Sequence, residues 1–218
     1  MNIEISSKIH EVCPNLHLAV IRAKVRNAET SNEFWNEMET EIQLIKSSFS
    51  IDQINKRPEI AATRKAYKML GKDPNRYRPS AEALCRRIVR EIDIYKVSML
   101  VDIINLVSIR SGFSIGGFDL DKIQGDVTLG VGTTEDEFDA IGRGILNVEG
   151  LPLYRDQIGG IGTPTSDNER TKITDSTTNI LLIINGYNGT LGLKEAVNHA
   201  TELLRKYARL EEYEVEWM

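Results

Sequence analysis

The sequence predicts a mixed α+β fold, in which a helical N-terminal half packs on a β-rich C-terminal half. Runs with helical periodicity dominate up to about residue 111, whereas short apolar runs separated by glycine follow from residue 126 onward. Of the 218 residues, 41% are hydrophobic, which is enough to bury a substantial core. Because no internal repeat and no convincing linker divides the chain, we expect one compact unit.

The first half begins with a predicted strand and continues with helices. Leu16 to Val25 is rich in branched residues and alternates too little to be half exposed, so we expect a central strand buried on both faces. Thr30 and Glu33 have the spacing of a capping box before a helix that continues to about Ser48. A second helix is predicted from Pro58 to Gly71.

A third predicted helix belongs to a locally basic segment, residues 57–90. Ser80 is its candidate N-cap, and its charged residues, including Glu82, are expected to remain on a polar face. A solvated helix face is the preferred interpretation of these charges, and a contact with nucleic acid is the alternative, because the net charge of −5 argues only against indiscriminate binding. An aromatic ring between two guanidinium groups suits bases and phosphates. The candidate contacts are Arg76, Tyr77, Arg78, Arg86 and Arg87.

The stretch from Ser98 to Gly125 combines a buried helix with a glycine pair. The helix presents Asn105 on one side, where helix-end hydrogen bonding is preferred over a substrate contact, and Gly112 supplies the left-handed residue that ends it. Gly116 and Gly117 are expected either to let the backbone turn sharply or to allow something to approach closely. Two carboxylates follow immediately, at Asp119 and Asp121.

The second half contains five candidate strands and a final helix. The most hydrophobic run of the chain, NILLIIN, is one of the strands, and the helix has inward-facing leucines and an N-cap at Gly192. The predicted strands are Val127 to Val131, Glu137 to Ile141, Gly144 to Val148, Leu151 to Arg155 and Asn179 to Asn185, and the predicted helix is Leu193 to Tyr207.

A polar segment from Gly159 to Thr171 separates the last two predicted strands. It has little apolar content and many hydroxyls, carboxylates and glycines. A long polar loop of this kind is either functional or a disordered surface excursion, and the sequence leaves both interpretations open. If it is functional, Ser166, Asp167 and Arg170 are candidates for substrate binding.

Several classes of protein are disfavoured by composition. Cys13 and Cys85 are isolated, as are the three histidines, so we expect neither a disulfide framework nor a metal site, and no motif predicts a cofactor. No apolar run approaches the roughly 20 residues of a membrane span, and the N-terminus lacks a secretory pattern. We therefore expect a cytoplasmic protein that does not bind a membrane.

Three motifs in order, LVDIINLV, GFDLDKIQG and TDSTTNILL, resemble the B3/4 domain of the phenylalanyl-tRNA synthetase beta chain. The resemblance spans about Ser98 to Gly189. It implies a core domain at residues 98–218, with residues 1–97 as an N-terminal extension of the kind seen in free-standing relatives. It also implies a compact α/β fold, tRNA as partner and a site that hydrolyses a mischarged aminoacyl ester. The chain is expected to be too short for the catalytic core of a synthetase.

The resemblance also implies roles for individual residues. The family's glutamate upstream of the T-T-N-I-L-L strand corresponds to Glu169, which would hold the amino group or orient water, and a threonine after that strand corresponds to Thr190. The family's histidine before the A-F-D run is replaced here by Gly116, so either the substrate differs or hydrolysis has been lost.

Three functions remain open from the sequence. The first is an aminoacyl-tRNA deacylase acting in trans, since an activated ester needs only an ordered water and backbone donors. The second is a non-catalytic module that binds tRNA or an amino acid, and the third is a partner-binding scaffold. For the deacylase, the expected catalytic residues are Glu169 and Thr190. The expected substrate contacts are Asn105, Gly116, Gly117, Asp119, Ser166, Asp167 and Arg170.

Overall fold

The most apolar strand of the chain lies inside a four-stranded antiparallel sheet in the computed structural model, which describes all 218 residues. The architecture is mixed α+β, as predicted. The helices are α1 (Ser7–Val12), α2 (Asn32–Ser48), α3 (Pro58–Met69), α4 (Ser80–Val89), α5 (Met99–Ser111) and α6 (Leu193–Tyr207). The strands are β1 (Ile3–Ile5), β2 (His17–Lys24), β3 (Ile115–Asp119), β4 (Val127–Val131), β5 (Asp139–Ala140), β6 (Gly144–Ile145), β7 (Pro152–Arg155), β8 (Gly160–Gly162), β9 (Asn179–Gly186) and β10 (Glu212–Trp217).

Two four-stranded sheets and a layer of helices make up the fold. The first sheet has the order β10-β2-β9-β3, and the second has the order β1-β4-β7-β8. Alternate residues of β9 point to opposite faces: Leu182 packs in the core cluster formed with α2, α4, α5 and α6, whereas Ile183 packs in the cluster formed with the second sheet. The inner strands of the first sheet are therefore buried on both faces, which explains why β2 and β9 are almost uninterrupted apolar runs, whereas the edge strand β10 is largely exposed.

Strands from the N-terminal half complete both sheets. β1 pairs in parallel with β4, and β2 lies between β10 and β9. The predicted central strand at Leu16 to Val25 is thus confirmed as β2, and the helices predicted from Pro58 and from Leu193 to Tyr207 are confirmed as α3 and α6. Gly112 ends α5 with φ of 84°, as expected. The sequence did not predict β1, α1, β8 or β10.

Several local predictions were wrong in detail. The N-cap of α2 is Ser31, whose Oγ accepts from the Phe34 amide, while the Thr30 hydroxyl donates to Asp102 instead. Ser80 is the first residue of α4 rather than its cap. The expected strands at Glu137 to Ile141 and Gly144 to Val148 shorten to the two-residue β5 and β6.

The glycine pair does not form a bend. Gly116 and Gly117 lie in β3 and pair with Ile183 and Leu182 of β9. Close approach is the reason for glycine here, because a Cβ on Gly117 would come within 2.5 Å of Ile104 Cδ1 and a Cβ on Gly116 within 2.8 Å of the Phe118 ring. The absent side chains allow α5 and an aromatic ring to pack directly on the strand.

Candidate functional site

A cavity of about 390 Å³ lies between α5, β3 and residues 167–173. One face of α5 supplies Asn105 and Ser108 at helical spacing, and Asp167 and Lys172 contribute the charged groups. Most of the remaining wall is aliphatic, so the cavity suits an apolar group that carries a few polar atoms. We call it the inner cavity. Its aliphatic lining includes Leu84, Val101, Ile104, Ile115, Ile141 and Ile173.

Asp167 is held in place by the backbone on both sides of it. The Thr163 hydroxyl accepts from the amides of Thr165 and Ser166 at 3.1 Å, which closes a tight turn directly before Asp167. The Asp167 carbonyl then accepts from the Ile141 amide at 3.0 Å. Of the two interpretations that the sequence left open, a disordered surface excursion is therefore wrong for this segment, because much of it is buried and hydrogen-bonded.

Gly162 makes room for the Asp167 carboxylate. A Cβ on Gly162 would lie 2.7 Å from Asp167 Oδ1 and 2.6 Å from the Phe118 ring. Gly117 contributes its backbone amide, which donates to Asp167 Oδ2 at 3.1 Å. A larger residue at position 162 would displace the acid, so Gly162 accommodates both the carboxylate and the Phe118 ring.

The Asp167 carboxylate has little electrostatic compensation. The Gly117 amide is its one hydrogen-bond donor within the chain, and no lysine, arginine or histidine forms an ion pair with it. Burial raises the pKa of Asp167 to about 7, against the smaller lowering effect of the Gly117 hydrogen bond. The cavity thus contains a carboxyl group that changes protonation state near neutral pH, as a general acid or base requires.

Glu169 does not line the inner cavity. Its carboxylate accepts from the Lys172 ammonium and from the Gly142 amide, and the Lys172 hydrogen bond is the main reason for the lowered pKa of Glu169. The side chain is one-third exposed. Lys172 does line the cavity, so Glu169 reaches it only through this ion pair.

A second cavity, of about 480 Å³, adjoins the inner cavity and opens to the surface. Five arginines line it and no carboxylate does, and we call it the arginine groove. Ser80, Leu84, Val97, Val101 and Asn105 line both spaces, so the two cavities form one continuous cleft. The arginines are Arg78, Arg86, Arg87, Arg90 and Arg143.

A buried carboxylate anchors part of this positive surface. Glu82, which was expected to be exposed, is fully buried and accepts from Arg64 at 2.8 Å and from Arg86 at 2.7 Å. Arg78 Nε lies 3.6 Å from the same carboxylate without forming a hydrogen bond. In contrast, Arg90 and Arg143 have no hydrogen-bond or ion-pair partner for their guanidinium groups. The groove therefore combines fixed and free positive charge.

Asn105 stands at the junction of the two cavities. Its carboxamide makes no hydrogen bond within the chain, although the side chain is only partly exposed. A carboxamide offers both a donor and an acceptor, so it can bind a carbonyl or hydroxyl at the point where a ligand passes from the groove into the inner cavity.

The other residues predicted from the sequence lie outside the cleft. Asp119 accepts from Thr177 at 2.7 Å, and Arg170 forms an ion pair with Asp156 at 2.7 Å, so both are occupied within the fold. Of the candidate nucleic-acid contacts, only the three on the groove wall lie at the cleft. Those that do not line either cavity are Gly116, Asp119, Ser166, Glu169, Arg170, Thr190, Arg76 and Tyr77.

Sequence reasoning missed several residues of the cleft. Lys172 and Tyr95 had no motif to mark them, and Arg90 was recognised only as part of a charged helix face. Arg143 reaches the groove from the turn between β5 and β6, more than 50 positions after α4. No local signal could have grouped these residues, since tertiary packing alone brings them together.

Two further observations concern metal ligands and membrane-spanning helices. No three histidine, cysteine, aspartate or glutamate side chains lie close enough together to hold a metal ion. None of the helices combines the length and apolar character needed to cross a membrane.

Comparison with known proteins defines the family. The profile of the B3/4 domain matches residues 62–210, which is more than half of the chain, so the chain belongs to the B3/4 domain family. This confirms the family resemblance found in the motifs. The match begins inside the stretch assigned to the N-terminal extension, and the division at residue 97 stays a prediction.

Among solved structures, the chain is similar to an N-terminal fragment of the phenylalanyl-tRNA synthetase beta-subunit from Pyrococcus horikoshii. The sequence identity is 15% and the TM-score is 0.45. The alignment covers 94% of this chain and 49% of that fragment, so the chain spans about half the length of the fragment. No curated protein sequence matches the chain.

Proposed function

We propose that this protein binds the aminoacylated end of a tRNA and hydrolyses its ester bond in trans. The observation that carries the proposal is the continuous cleft, in which an aliphatic cavity with an unpaired carboxylate opens onto a groove of arginines. Membership of the B3/4 family supports the same substrate class. A tRNA substrate would place the protein in the cytoplasm.

The two parts of the cleft match the two parts of such a substrate. Arginines without carboxylate partners attract phosphates and release counterions when they bind them. The aliphatic walls of the inner cavity favour an amino acid side chain, because its burial removes apolar area from water. Asn105, where the cavities meet, would hydrogen-bond the ester carbonyl or a ribose hydroxyl.

Asp167 is the residue that we assign to proton transfer. In its ionised form it accepts a proton from a water molecule while the water oxygen attacks the ester carbonyl carbon, forming a tetrahedral intermediate. Collapse of this intermediate breaks the bond between the carbonyl carbon and the ribose oxygen, which takes the proton back from Asp167. The products are the free amino acid and a tRNA with a free hydroxyl. A pKa of about 7 suits both transfers at neutral pH.

The test is a deacylation screen with tRNAs that carry different amino acids, using the wild type and Asp167→Asn. Asparagine keeps the shape of the side chain and its acceptor for the Gly117 amide but cannot accept the proton. We expect kcat for the sensitive ester to fall by about 100-fold or more, while binding of the same tRNA in uncharged form stays the same. Equal kcat values for the two proteins, or no ester hydrolysed faster than without protein, would refute the proposal.

A non-catalytic binding module is the second candidate. It is favoured by the position of Glu169, the counterpart of the family's glutamate, which is bound to Lys172 outside the cavity. In that case Asp167 would pair with the ammonium group of a bound amino acid. The predicted result is then the reverse: no ester is hydrolysed, and Asp167→Asn weakens the binding of aminoacylated tRNA but not of uncharged tRNA.

A further inference from the structure

Tyr95 is an exposed aromatic residue on the wall of the arginine groove. Its side chain is 64% exposed, although large aromatic side chains usually bury most of their surface. It lies in the irregular segment between α4 and α5, where Ile92 and Val97 also line the groove and are 45% and 62% exposed. Apolar surface thus faces solvent in the same place where positive charge is concentrated.

The tyrosine ring is held in a fixed orientation by Arg87. The guanidinium carbon lies 4.1 Å from the ring centroid, and Arg87 Nη1 donates to the tyrosine hydroxyl at 3.1 Å. Arg87 is itself fixed, because its Nε and Nη2 both donate to the Asp93 carbonyl, at 3.1 and 2.7 Å. No carboxylate neutralises this arginine. The pair is therefore ordered before any ligand arrives, which lowers the entropic cost of binding.

The groove around the pair favours one kind of ligand. An aromatic ring offers a stacking surface for any nucleobase, because every base has a π-face. Arg86, Arg90 and Arg143 line the same groove and suit the phosphates next to such a base. A folded duplex would not offer the face of its bases, so the ligand must be an unpaired segment.

We propose that Tyr95 and Arg87 form a stacking platform for an unpaired base in a single-stranded RNA end, with the adjoining phosphates on the arginines of the groove. This inference rests on the proposed function, since it identifies the nucleotide contact beside the ester. It makes Tyr95 a binding residue that recognises the base through its π-face, without sequence specificity.

The chain provides a matched control. Arg205 lies over the ring of Tyr213 at 5.1 Å and donates to its hydroxyl at 2.8 Å, and the partners are again eight positions apart in the sequence. Tyr213 is 46% exposed but lies on β10, among the glutamates of that strand. An arginine–tyrosine pair in acidic surroundings repels phosphate, so this pair should not bind RNA.

The experiment uses short single-stranded RNA that ends in the fluorescent base 2-aminopurine, and the same RNA with an abasic terminal residue. For the base-ended RNA, we expect Tyr95→Ala to raise Kd by about tenfold and to abolish the quenching of 2-aminopurine. Tyr95→Phe and Tyr95→Trp keep the ring and should stay within about twofold of the wild type. Tyr213→Ala should have no effect, and the abasic RNA should bind equally to the wild type and Tyr95→Ala.

Different results separate this inference from the proposed function. The platform is refuted if Tyr95→Ala binds the base-ended RNA as the wild type does, if its loss is equally large with the abasic RNA, or if the wild type binds neither RNA at low salt. Base-dependent binding through Tyr95 together with a deacylation screen that finds no substrate would support the platform and refute hydrolysis. Hydrolysis that is unaffected by Tyr95→Ala, with unchanged Kd, would support the proposed function and refute the platform.

Discussion

The inner cavity and the arginine groove share a wall, but they differ in the sign of their charged groups and in the solvent exposure of those groups. The cavity contains a carboxylate that no cation neutralises, enclosed by aliphatic side chains. The groove contains five guanidinium groups at the surface. Some of them form ion pairs with the buried Glu82, and others have no partner. In the cavity, desolvation raises the pKa of a single carboxyl group. In the groove, several solvent-exposed positive charges together attract the phosphates of a polyanion.

The largest expected effect is a pH dependence of the free energy of unfolding that Asp167 causes. Its pKa of about 7 in the folded protein lies above the ordinary value of 3.8, so the native state binds more protons than the unfolded state between these two pH values. The contribution of Asp167 to the free energy of unfolding is therefore highest below about pH 4 and falls until about pH 7. At 1.36 kcal/mol per pKa unit, the full shift corresponds to about 4 kcal/mol, and the partial exposure of Asp167 makes this an upper bound.

Urea denaturation of the wild type and Asp167→Asn over this pH range measures the effect. Asparagine does not titrate, so the stability of the variant relative to the wild type should increase as pH rises from about 4 to 7 and then remain constant. A relative stability that does not change with pH would show that Asp167 is well solvated, and the contrast between cavity and groove would then disappear.

The second prediction concerns the free charges of the groove. Replacing Arg90 and Arg143 together by alanine removes two guanidinium groups that have no partner in the fold, so the free energy of unfolding should change little. The affinity for single-stranded RNA should fall by about tenfold at low salt. The slope of log K against log salt should become shallower by about 0.7 for each arginine removed.

Arg76→Ala is the matched control for this double variant, because Arg76 is exposed but does not line the groove. It was a candidate nucleic-acid contact from the sequence alone. If Arg76→Ala weakens RNA binding as much as the double variant does, the binding surface extends beyond the groove and the loop around Tyr77 belongs to it.

The smallest effect is expected for Glu169→Ala. The family resemblance makes Glu169 the catalytic carboxylate, for which the substitution should abolish turnover. In the structure Glu169 forms an ion pair with Lys172 and does not line the inner cavity, so its carboxylate does not reach the position of the ester. We therefore expect kcat to change by less than about fivefold. A loss as large as that of Asp167→Asn would return the catalytic role to Glu169.

Regular, amphipathic parts of the fold could be predicted from the sequence. The apolar spacing of α6 and the left-handed Gly112 are local signals, and both were located correctly. β10 escaped prediction because its sequence, EYEVEW, is strongly acidic, and its glutamates are balanced by Arg22 on the adjacent strand. Pairing between strands nearly 200 residues apart gives no local signal in the sequence.

The site was predictable only in part, for a similar reason. Asn105, Gly117 and Asp167 were named from the sequence and do line the inner cavity. The sequence allowed either a sharp turn or a close approach at the glycine pair, and the packing of Ile104 and Phe118 onto the strand shows that close approach applies. The preference for Glu169 over Asp167 came from a family position. The two acids differ in that Glu169 pairs with Lys172 whereas Asp167 lines the cavity without an ion pair, and this difference depends on the folded structure.

The pairing of β2 with β9 has a practical consequence for fragments of this protein. A polypeptide that starts at residue 98 would lack β1 and β2 and would leave the backbone amides and carbonyls of β9 without partners along one edge. An open edge on so apolar a strand readily recruits other strands and aggregates. The residues of the cleft should therefore be tested by point substitution in the 218-residue chain, because the half that contains Asp167 depends on β1 and β2 to complete its sheets.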